Sequence, residues 1–290
     1  MSEIKLFNVS ENVEEIKSIT PVLNAGIQQL LETNLKKFFG VSLVASNYQI
    51  GNGRVATVGL DENRCPVVFV YSIDDDKNFI SKGLYSLEQV LDNKDRFTVS
   101  VSSKLGKKAA EVIDWSMPRI IYVATGYNKY DRSAVKQMNR NIALVQYNQY
   151  GDNIVMFELV ESNVGSSLDD YSKTRNSFAA AFKKSNSETK ALFDRMCEYV
   201  FYFGEAVTVN YLKNYVAFKK IKNFASARVD GDKIILNLNL EPNKYIGRGE
   251  GYKDVSFATK YGTGQLQFTF SNEEGYQEAK RILLEAYNKN

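Results

Sequence analysis

The sequence predicts a mixed α/β unit followed by a smaller α+β unit. In the first part of the chain, segments with apolar residues at helical spacing take turns with continuous apolar runs. In the second part, short predicted strands, some with alternating apolar and polar residues, precede a terminal helix. The polar stretch SNVGSSLDDYSKTRNS between them is typical of a linker with a flanking helix. We therefore expect a first domain at residues 1–162, a linker at 163–187 and a second domain at 188–290.

The first unit opens with a helix predicted over residues 21–39, where Leu31 and Leu35 fall on one face and Gly40 suits the exit. Strands are predicted at residues 54–60 and 66–72. The second, PVVFVYS, is a continuous apolar run, which is typical of a buried central strand. The same patterns predict helices at 78–92, within the stretch to 110 and at 131–141, and strands at 119–124, 142–147 and 153–160.

The second unit opens with a predicted helix at residues 190–204. Asp230 and Gly231 indicate a tight hairpin turn between two strands. The remaining predicted elements are strands at 215–218, 225–229, 233–240 and 265–270 and a final helix at 272–287. Short strands and two helices in this order predict a small α+β domain.

Composition excludes several kinds of chemistry. The 290 residues contain no His, so Ser-His-Asp and Cys-His nucleophile systems, HExxH zinc sites and His-ligated haem are excluded. The net charge of +3 does not by itself indicate a nucleic-acid partner. Cys65 and Cys197 are far apart in sequence and are interpreted as buried free thiols. The lack of a long apolar stretch and of a signal peptide predicts a soluble, cytoplasmic protein without membrane contact.

Several segments resemble the PD-(D/E)xK nuclease superfamily, in particular the branch of archaeal-type mismatch endonucleases and bacterial two-domain proteins with an uncharacterised C-terminal domain. The segments are QQLLETNLKKFFG, RVATVGLDENRCPVVFVYS, IDWSMPRI, NRNIALVQY, NYVAFKKIKNF and YGTGQL. The resemblance implies a restriction-endonuclease-like first domain. It also implies an active site in which an Asp and a Glu hold Mg²⁺ and a Lys two residues after that Glu helps activate water.

The sequence departs from that pattern where the chemistry needs it. The first carboxylate position holds Ala56, and the Glu-x-Lys positions hold Val70 and Ser72. Of the acidic residues, Glu32 on the helix and Asp61 in the loop are retained. A shift of one residue would turn the pleat over and still give no Glu-x-Lys. We therefore expect no catalytic residues and no cofactor, with Mg²⁺ only if Asp61, Asp74, Asp75 or Asp76 has replaced the missing ligands.

Basic residues are the candidate nucleic-acid contacts as a set, although each of them taken alone is more often a solvated surface charge. Lys136 and Arg140 are predicted to share a helix face at i, i+4 spacing. The lysine-rich run near residue 220 is interleaved with aromatic residues that are expected to face a core. The full candidate set is Lys36, Lys37, Arg54, Lys82, Lys136, Arg140, Lys219, Lys220 and Lys222.

Three functions stay open at this point. The first is a catalytically inactive nuclease-like protein that binds nucleic acid, DNA rather than RNA, in repair or in defence against foreign DNA. The second is a protein-interaction or regulatory module, with a protein partner or as a homodimer. The third is a metal-dependent endonuclease with migrated ligands. Salt-dependent binding, a stable partner and metal-dependent cleavage, respectively, distinguish them.

Overall fold

The computed structural model describes residues 4–9, 13–19, 25–72, 78–163, 177–204, 207–257 and 262–289. A two-stranded antiparallel hairpin, β1 (Leu6–Val9) and β2 (Val13–Ile16), precedes the first large sheet. No helix in these ranges is both long and apolar enough to cross a membrane.

A seven-stranded mixed sheet forms the centre of the first unit. Its strands are β3 (Ser18–Ile19), β4 (Ser42–Ile50), β5 (Gly53–Leu60), β6 (Pro66–Ser72), β7 (Arg119–Ala124), β8 (Asn141–Tyr150) and β9 (Ile154–Asn163). Strands β4 to β9 lie side by side in chain order, and β3 pairs with the end of β8. The neighbours β6, β7 and β8 are parallel, and the outer pairings are antiparallel.

Helices cover both faces of this sheet, which explains why its central strands are apolar on both sides. The helices are α1 (Ala25–Phe39), α2 (Phe79–Asp92), α3 (Lys94–Leu105), α4 (Lys107–Glu111) and α5 (Lys129–Gln137). On one face, Leu31 and Leu35 of α1 pack against Phe69 in a cluster that we call the α1 cluster. On the other face, helices α2 and α3 pack against Val68 and Tyr122.

The second unit is a six-stranded antiparallel sheet with three helices. Its strands are β10 (Thr208–Tyr211), β11 (Val216–Lys219), β12 (Asn223–Asp230), β13 (Lys233–Leu238), β14 (Tyr252–Asp254) and β15 (Leu266–Phe270). Its helices are α6 (Phe178–Lys184), α7 (Ser187–Phe201) and α8 (Glu273–Lys289), with a 3₁₀ turn at Pro242–Lys244. The spatial order is β10-β11-β12-β13-β15-β14, and one apolar core lies between the sheet and the helices.

The structure confirms a mixed α/β unit and a separate antiparallel sheet, and it corrects several boundaries. The predicted helix at 131–141 is wrong at both ends, because a capping box between Asn128 and Asp131 starts α5 at Lys129 and the helix ends at Gln137. Strand β4 is absent from the prediction. The Asn186 side chain caps α7 and starts it at Ser187 rather than at residue 190.

The predicted linker at 163–187 lies partly outside the described residues, which resume at 177. Its C-terminal part contains α6, which corresponds to the flanking helix expected there. Phe178, the first residue of α6, packs into the core of the second unit against Phe193, with a distance of 5.1 Å between the ring centroids.

Candidate functional site

The retained helix carboxylate, Glu32, is enclosed by hydroxyl and amide donors. Its Oε1 accepts hydrogen bonds from Gln28 Nε2 at 2.8 Å and from Thr57 Oγ1 at 2.5 Å. Its Oε2 accepts a hydrogen bond from Ser46 Oγ at 2.7 Å. The Tyr71 hydroxyl donates in turn to Thr57 Oγ1 at 2.9 Å. Glu32 therefore connects α1 directly to β4 and β5 and, through Thr57, to β6.

The residues that share this face of the sheet are not those placed there by the family pattern. Thr57 and Tyr71 point towards Glu32, whereas Val70 packs against the α2 side of the sheet. Successive side chains on a strand alternate between faces, so Ala56 and Ser72 also project away from Glu32. Ala56, Val70 and Ser72, the positions that the resemblance assigns to the missing ligands and lysine, therefore do not lie on the face that carries Glu32.

The residues around Glu32 do not fit a Mg²⁺ site. Magnesium in proteins prefers carboxylate oxygens and retained waters. Both oxygens of Glu32 already accept hydrogen bonds, and its neighbours are hydroxyl and amide groups. Burial raises the pKa of Tyr71, so this hydroxyl stays a neutral donor. In the described ranges, no three His, Cys, Asp or Glu side chains are grouped to hold a metal ion. The alternative ligands Asp74, Asp75 and Asp76 lie outside those ranges.

The other retained acid, Asp61, has a structural partner in the second unit. Its Oδ1 accepts hydrogen bonds from the backbone amides of Asn63 at 2.8 Å and Cys65 at 3.0 Å. Its Oδ2 lies 3.3 Å from Nζ of Lys219, and the two side chains are 3% and 2% exposed. This burial contradicts the expected roles of Asp61 as a possible metal ligand and of Lys219 as a nucleic-acid contact. Neither a metal ion nor a phosphate on the surface can reach the pair while the two units are packed together.

Asp61 begins a turn, residues 61–65, that we call the junction turn because it contacts the second unit along its length. Asn63 Oδ1 accepts hydrogen bonds from Tyr215 OH at 3.0 Å and Asn223 Nδ2 at 2.6 Å. Glu62 Oε2 accepts a hydrogen bond from the Asn223 amide at 2.8 Å. Cys65 is fully buried in a small apolar cluster with Met117, Leu212, Tyr215 and Ala217, which joins the two units.

The junction contains a concentration of buried charge. Arg119, at the start of β7, is 3% exposed and donates to the Ile221 carbonyl at 3.3 Å. Burial lowers the pKa of Arg119 to about 10 and also lowers that of Lys219, although Asp61 favours the charged form of each. Burial raises the pKa of Glu62 to about 7, against the opposing effect of Lys219. The junction therefore brings buried groups of both charges together between the two units.

Four of the predicted basic residues lie close to the junction on neighbouring segments. Lys36 and Lys37 are exposed in the last turn of α1. The turn at residues 220–222 between β11 and β12 inserts Ile221 against the α1 cluster, with Lys220 and Lys222 on either side. An added Cβ on Gly40, just after α1, would lie 2.5 Å from Glu62 Cδ, and Lys222 acts electrostatically on the same carboxyl. We call Lys36, Lys37, Lys220 and Lys222 the junction lysine surface.

The lysines of this surface differ in freedom. Lys220 Nζ lies 3.7 Å from the centre of the Tyr287 ring, a cation–π contact that fixes it against α8. Lys222 is partly exposed, whereas Lys36 and Lys37 are exposed. The interleaved aromatic residues Phe218 and Phe224 are fully buried, as the sequence predicts.

The remaining predicted contacts lie elsewhere. Exposed Lys82 is on α2 and Arg54 follows a turn whose Asn52 amide bonds to Gln89 of α2 at 3.0 Å. Arg140 lies beyond the end of α5, so it does not share a helix face with Lys136 as predicted. Lys136 is paired with Glu161 at 3.0 Å.

Two open cavities are lined by side chains of both charges. The first, of about 800 Å³, lies between α2 and the connection before β8 and includes Arg140 together with the carboxylates Glu88 and Asp92. The second, of about 890 Å³, lies beside β14, β15 and α8 and mixes Arg248 and Lys253 with several glutamates. Because carboxylates line both, neither provides a uniformly positive surface for a phosphate.

Sequence reasoning missed the residues that build the junction, namely Asn63, Arg119, Tyr215 and Asn223. A signal existed for Arg119, because it opens the otherwise apolar strand RIIYVA and is therefore expected to be buried with a partner. The asparagines gave no such signal, since Asn is common in loops and the pairing spans about 160 residues of sequence.

Comparison with known proteins gives one full-length relative and one partial structural likeness. No protein-family model matches the chain. The chain is 21% identical over 300 residues to an uncharacterised protein of Haemophilus influenzae, covering 98% of this chain and 99% of that protein. A solved structure of an EndoMS–dsDNA complex aligns at a TM-score of 0.26 and 14% identity, over 49% of this chain and 64% of that chain. That TM-score is too low to establish a shared fold, and the nuclease resemblance therefore stays a prediction.

Proposed function

We propose that this protein binds nucleic acid, DNA in preference to RNA, through the junction lysine surface and does not cleave it with a metal ion. The observation that carries the proposal is the convergence of basic residues from both units. Ile221 packs against the α1 cluster, so the turn that carries Lys220 and Lys222 contacts the unit in which α1 ends with Lys36 and Lys37. Clustered lysines are the usual electrostatic footprint of phosphate binding.

The absence of metal chemistry is supported by the surroundings of Glu32. A metal-dependent nuclease needs carboxylates that are free to bind the ion, yet hydroxyl and amide groups occupy both oxygens of Glu32. Asp61 is unsuited to replace a missing ligand, because it is buried against Lys219. A role in repair or in defence against foreign DNA is the biological setting that we propose for such binding.

One assay tests binding and cleavage together. Labelled double-stranded and single-stranded DNA and RNA of equal length are titrated with protein across a salt series, with EDTA, Mg²⁺ or Mn²⁺. We expect affinity that falls steeply with salt, with a log–log slope near −0.9 for each phosphate neutralised on duplex DNA, roughly as for other such proteins. We expect intact nucleic acid in every metal condition. Cleavage that requires metal, or binding that does not change with salt, would contradict the proposal.

A protein-interaction module is the second candidate, and the first hairpin favours it. Phe7, Val9 and Val13 share one face of the β1–β2 hairpin and are 51%, 79% and 69% exposed. Exposed apolar residues in a group often mark a protein interface. A stable homodimer or partner complex together with no salt-dependent nucleic-acid binding is the result that supports this candidate over the first.

A further inference from the structure

We propose that protonation of the junction turn controls the closure of the two units: they stay closed while Glu62 is neutral and open more readily when it is charged. The proposal goes beyond nucleic-acid binding and does not depend on it. It stands first on geometry, because the junction turn belongs to the first unit and its polar side chains bond to the second. Separation of the units breaks the bonds of Glu62 to the Asn223 amide and of Asn63 to Tyr215 and Asn223.

Of the two acids in the junction turn, Asp61 forms a salt bridge, whereas Glu62 forms none within the described residues. Asp61 and Lys219 are paired at 3.3 Å, whereas Glu62 Oε2 accepts a backbone hydrogen bond. The charged groups that act on Glu62 lie on its own turn and on the elements packed against it: Asp61 on the turn, Arg119 on β7, and Lys219 and Lys222 beside the β11–β12 turn.

The balance of these effects gives the direction of the pH dependence. Lys219, Lys222 and the Asn223 amide favour the carboxylate, but burial outweighs them and raises the pKa of Glu62 from 4.5 to about 7. In an open protein, Glu62 is solvated and returns towards its ordinary value. A carboxyl with a raised pKa in the closed state binds more protons there, so closure is favoured fully below about pH 4.5 and progressively less up to about pH 7.

Opening has a consequence for the surface as well. Lys36 and Lys37 belong to one unit and Lys220 and Lys222 to the other. Separation of the units divides the junction lysine surface, so binding of a polyanion across it and closure of the junction favour each other by thermodynamic linkage.

Cys65 provides a direct readout of closure. It is fully buried in the small cluster shared by the two units, whereas Cys197 is 6% exposed within the core of the second unit. Labelling with N-ethylmaleimide is followed by mass spectrometry of the intact chain and its peptides at about pH 5.5 and about pH 8. At each pH, the ratio of the Cys65 labelling rate to the Cys197 labelling rate removes most of the effect of pH on thiol ionisation that the two residues share. Labelling of Cys197 itself reports unfolding of the core of the second unit.

The matched variant is Glu62→Gln, which keeps an oxygen acceptor for the Asn223 amide but cannot be charged. An exposed control, Glu241→Gln, removes the same charge away from the junction turn.

From about pH 5.5 to about pH 8, we expect the labelling rate of Cys65 to rise at least about tenfold more in the natural chain than in Glu62→Gln. Glu241→Gln is expected to behave like the natural chain. If Glu62→Gln does not fold, the ratio of Cys65 to Cys197 labelling in the natural chain must rise by a similar factor. A ratio that is constant with pH, or equal pH dependence in Glu62→Gln, overturns the proposal. Neither result depends on nucleic acid, so failure here is separate from failure of the proposed function.

Discussion

Lys219 Nζ lies 3.3 Å from Asp61 Oδ2, and this ion pair between the two units is almost completely buried. Removal of one partner of a buried pair leaves the other charge without compensation, which typically costs about 3–5 kcal/mol. We expect Lys219→Met to lower the free energy of unfolding by an amount of this order, measured by urea denaturation. Because Asp61 also accepts two backbone hydrogen bonds, Asp61→Asn combined with Lys219→Met is expected to recover part of the loss.

The control for this pair is an exposed one. Arg195 and Glu273 form a bidentate ion pair on the surface, and solvent screens such pairs. We expect Arg195→Met to have a much smaller effect than Lys219→Met. Equal effects of the two variants would mean that the buried pair does not hold the units together.

Glu32→Ala tests whether the Glu32 site is structural or binds metal. The change leaves Thr57 and Ser46 without their acceptor, and we expect a loss of about 1–3 kcal/mol in the free energy of unfolding. We also expect the thermal midpoint of the natural chain to be the same in Mg²⁺ and in EDTA. If Mg²⁺ stabilises the natural chain and this stabilisation disappears in Glu32→Ala, Glu32 binds metal and the structural interpretation is wrong.

Ile221→Ala tests the packing that assembles the junction lysine surface. The change removes no charge, yet we expect nucleic-acid affinity to fall because the β11–β12 turn, which carries Lys220 and Lys222, loses its packing against the α1 cluster. The exposed Ile154→Ala serves as control, since Ile154 is 38% exposed on β9. An unchanged affinity in a folded Ile221→Ala protein would show that the four lysines do not act as one surface.

The raised pKa of Glu62 predicts a pH dependence of overall stability as well as of closure. Its pKa rises from 4.5 to about 7 in the folded protein, so its contribution is present in full below about pH 4.5 and lost as pH rises to about 7. The corresponding difference amounts to about 3 kcal/mol at most. We expect the denaturation free energy of the natural chain, taken relative to Glu62→Gln, to fall across this range. A difference that rises with pH would have the wrong sign for this account.

Much of the fold could be predicted from the sequence because the apolar patterns are strong. The run PVVFVYS forms β6, buried between β5 and β7, and the helical face of Leu31 and Leu35 packs on the sheet as expected. Strand β4 was missed, since SLVASNYQI carries polar residues at most of its exposed positions and lies at the edge of the sheet. The end of α5 was misplaced because helix boundaries depend on local caps more than on periodicity.

The candidate site was less predictable than the fold, for a physical reason. A lysine in a polar run has the same sequence signal whether it faces water or a buried acid, so Lys219 could not be distinguished from Lys220 and Lys222. The partner of Lys219 is 158 residues away, and its burial follows from how the two units pack together. In contrast, the exposure of Lys36 and Lys37 followed directly from the helical pattern of α1.

Replacement of two adjacent lysines on α1 tests whether DNA binds to the junction lysine surface. Lys36→Ala with Lys37→Ala removes two charges from the last turn of α1, and Lys183→Ala with Lys184→Ala removes two from the last turn of α6. In a salt series on duplex DNA, we expect the first double variant to bind more weakly and to lose about two units of log–log salt slope, whereas the second binds like the natural chain. Equal behaviour of the two double variants would contradict binding through the junction lysine surface.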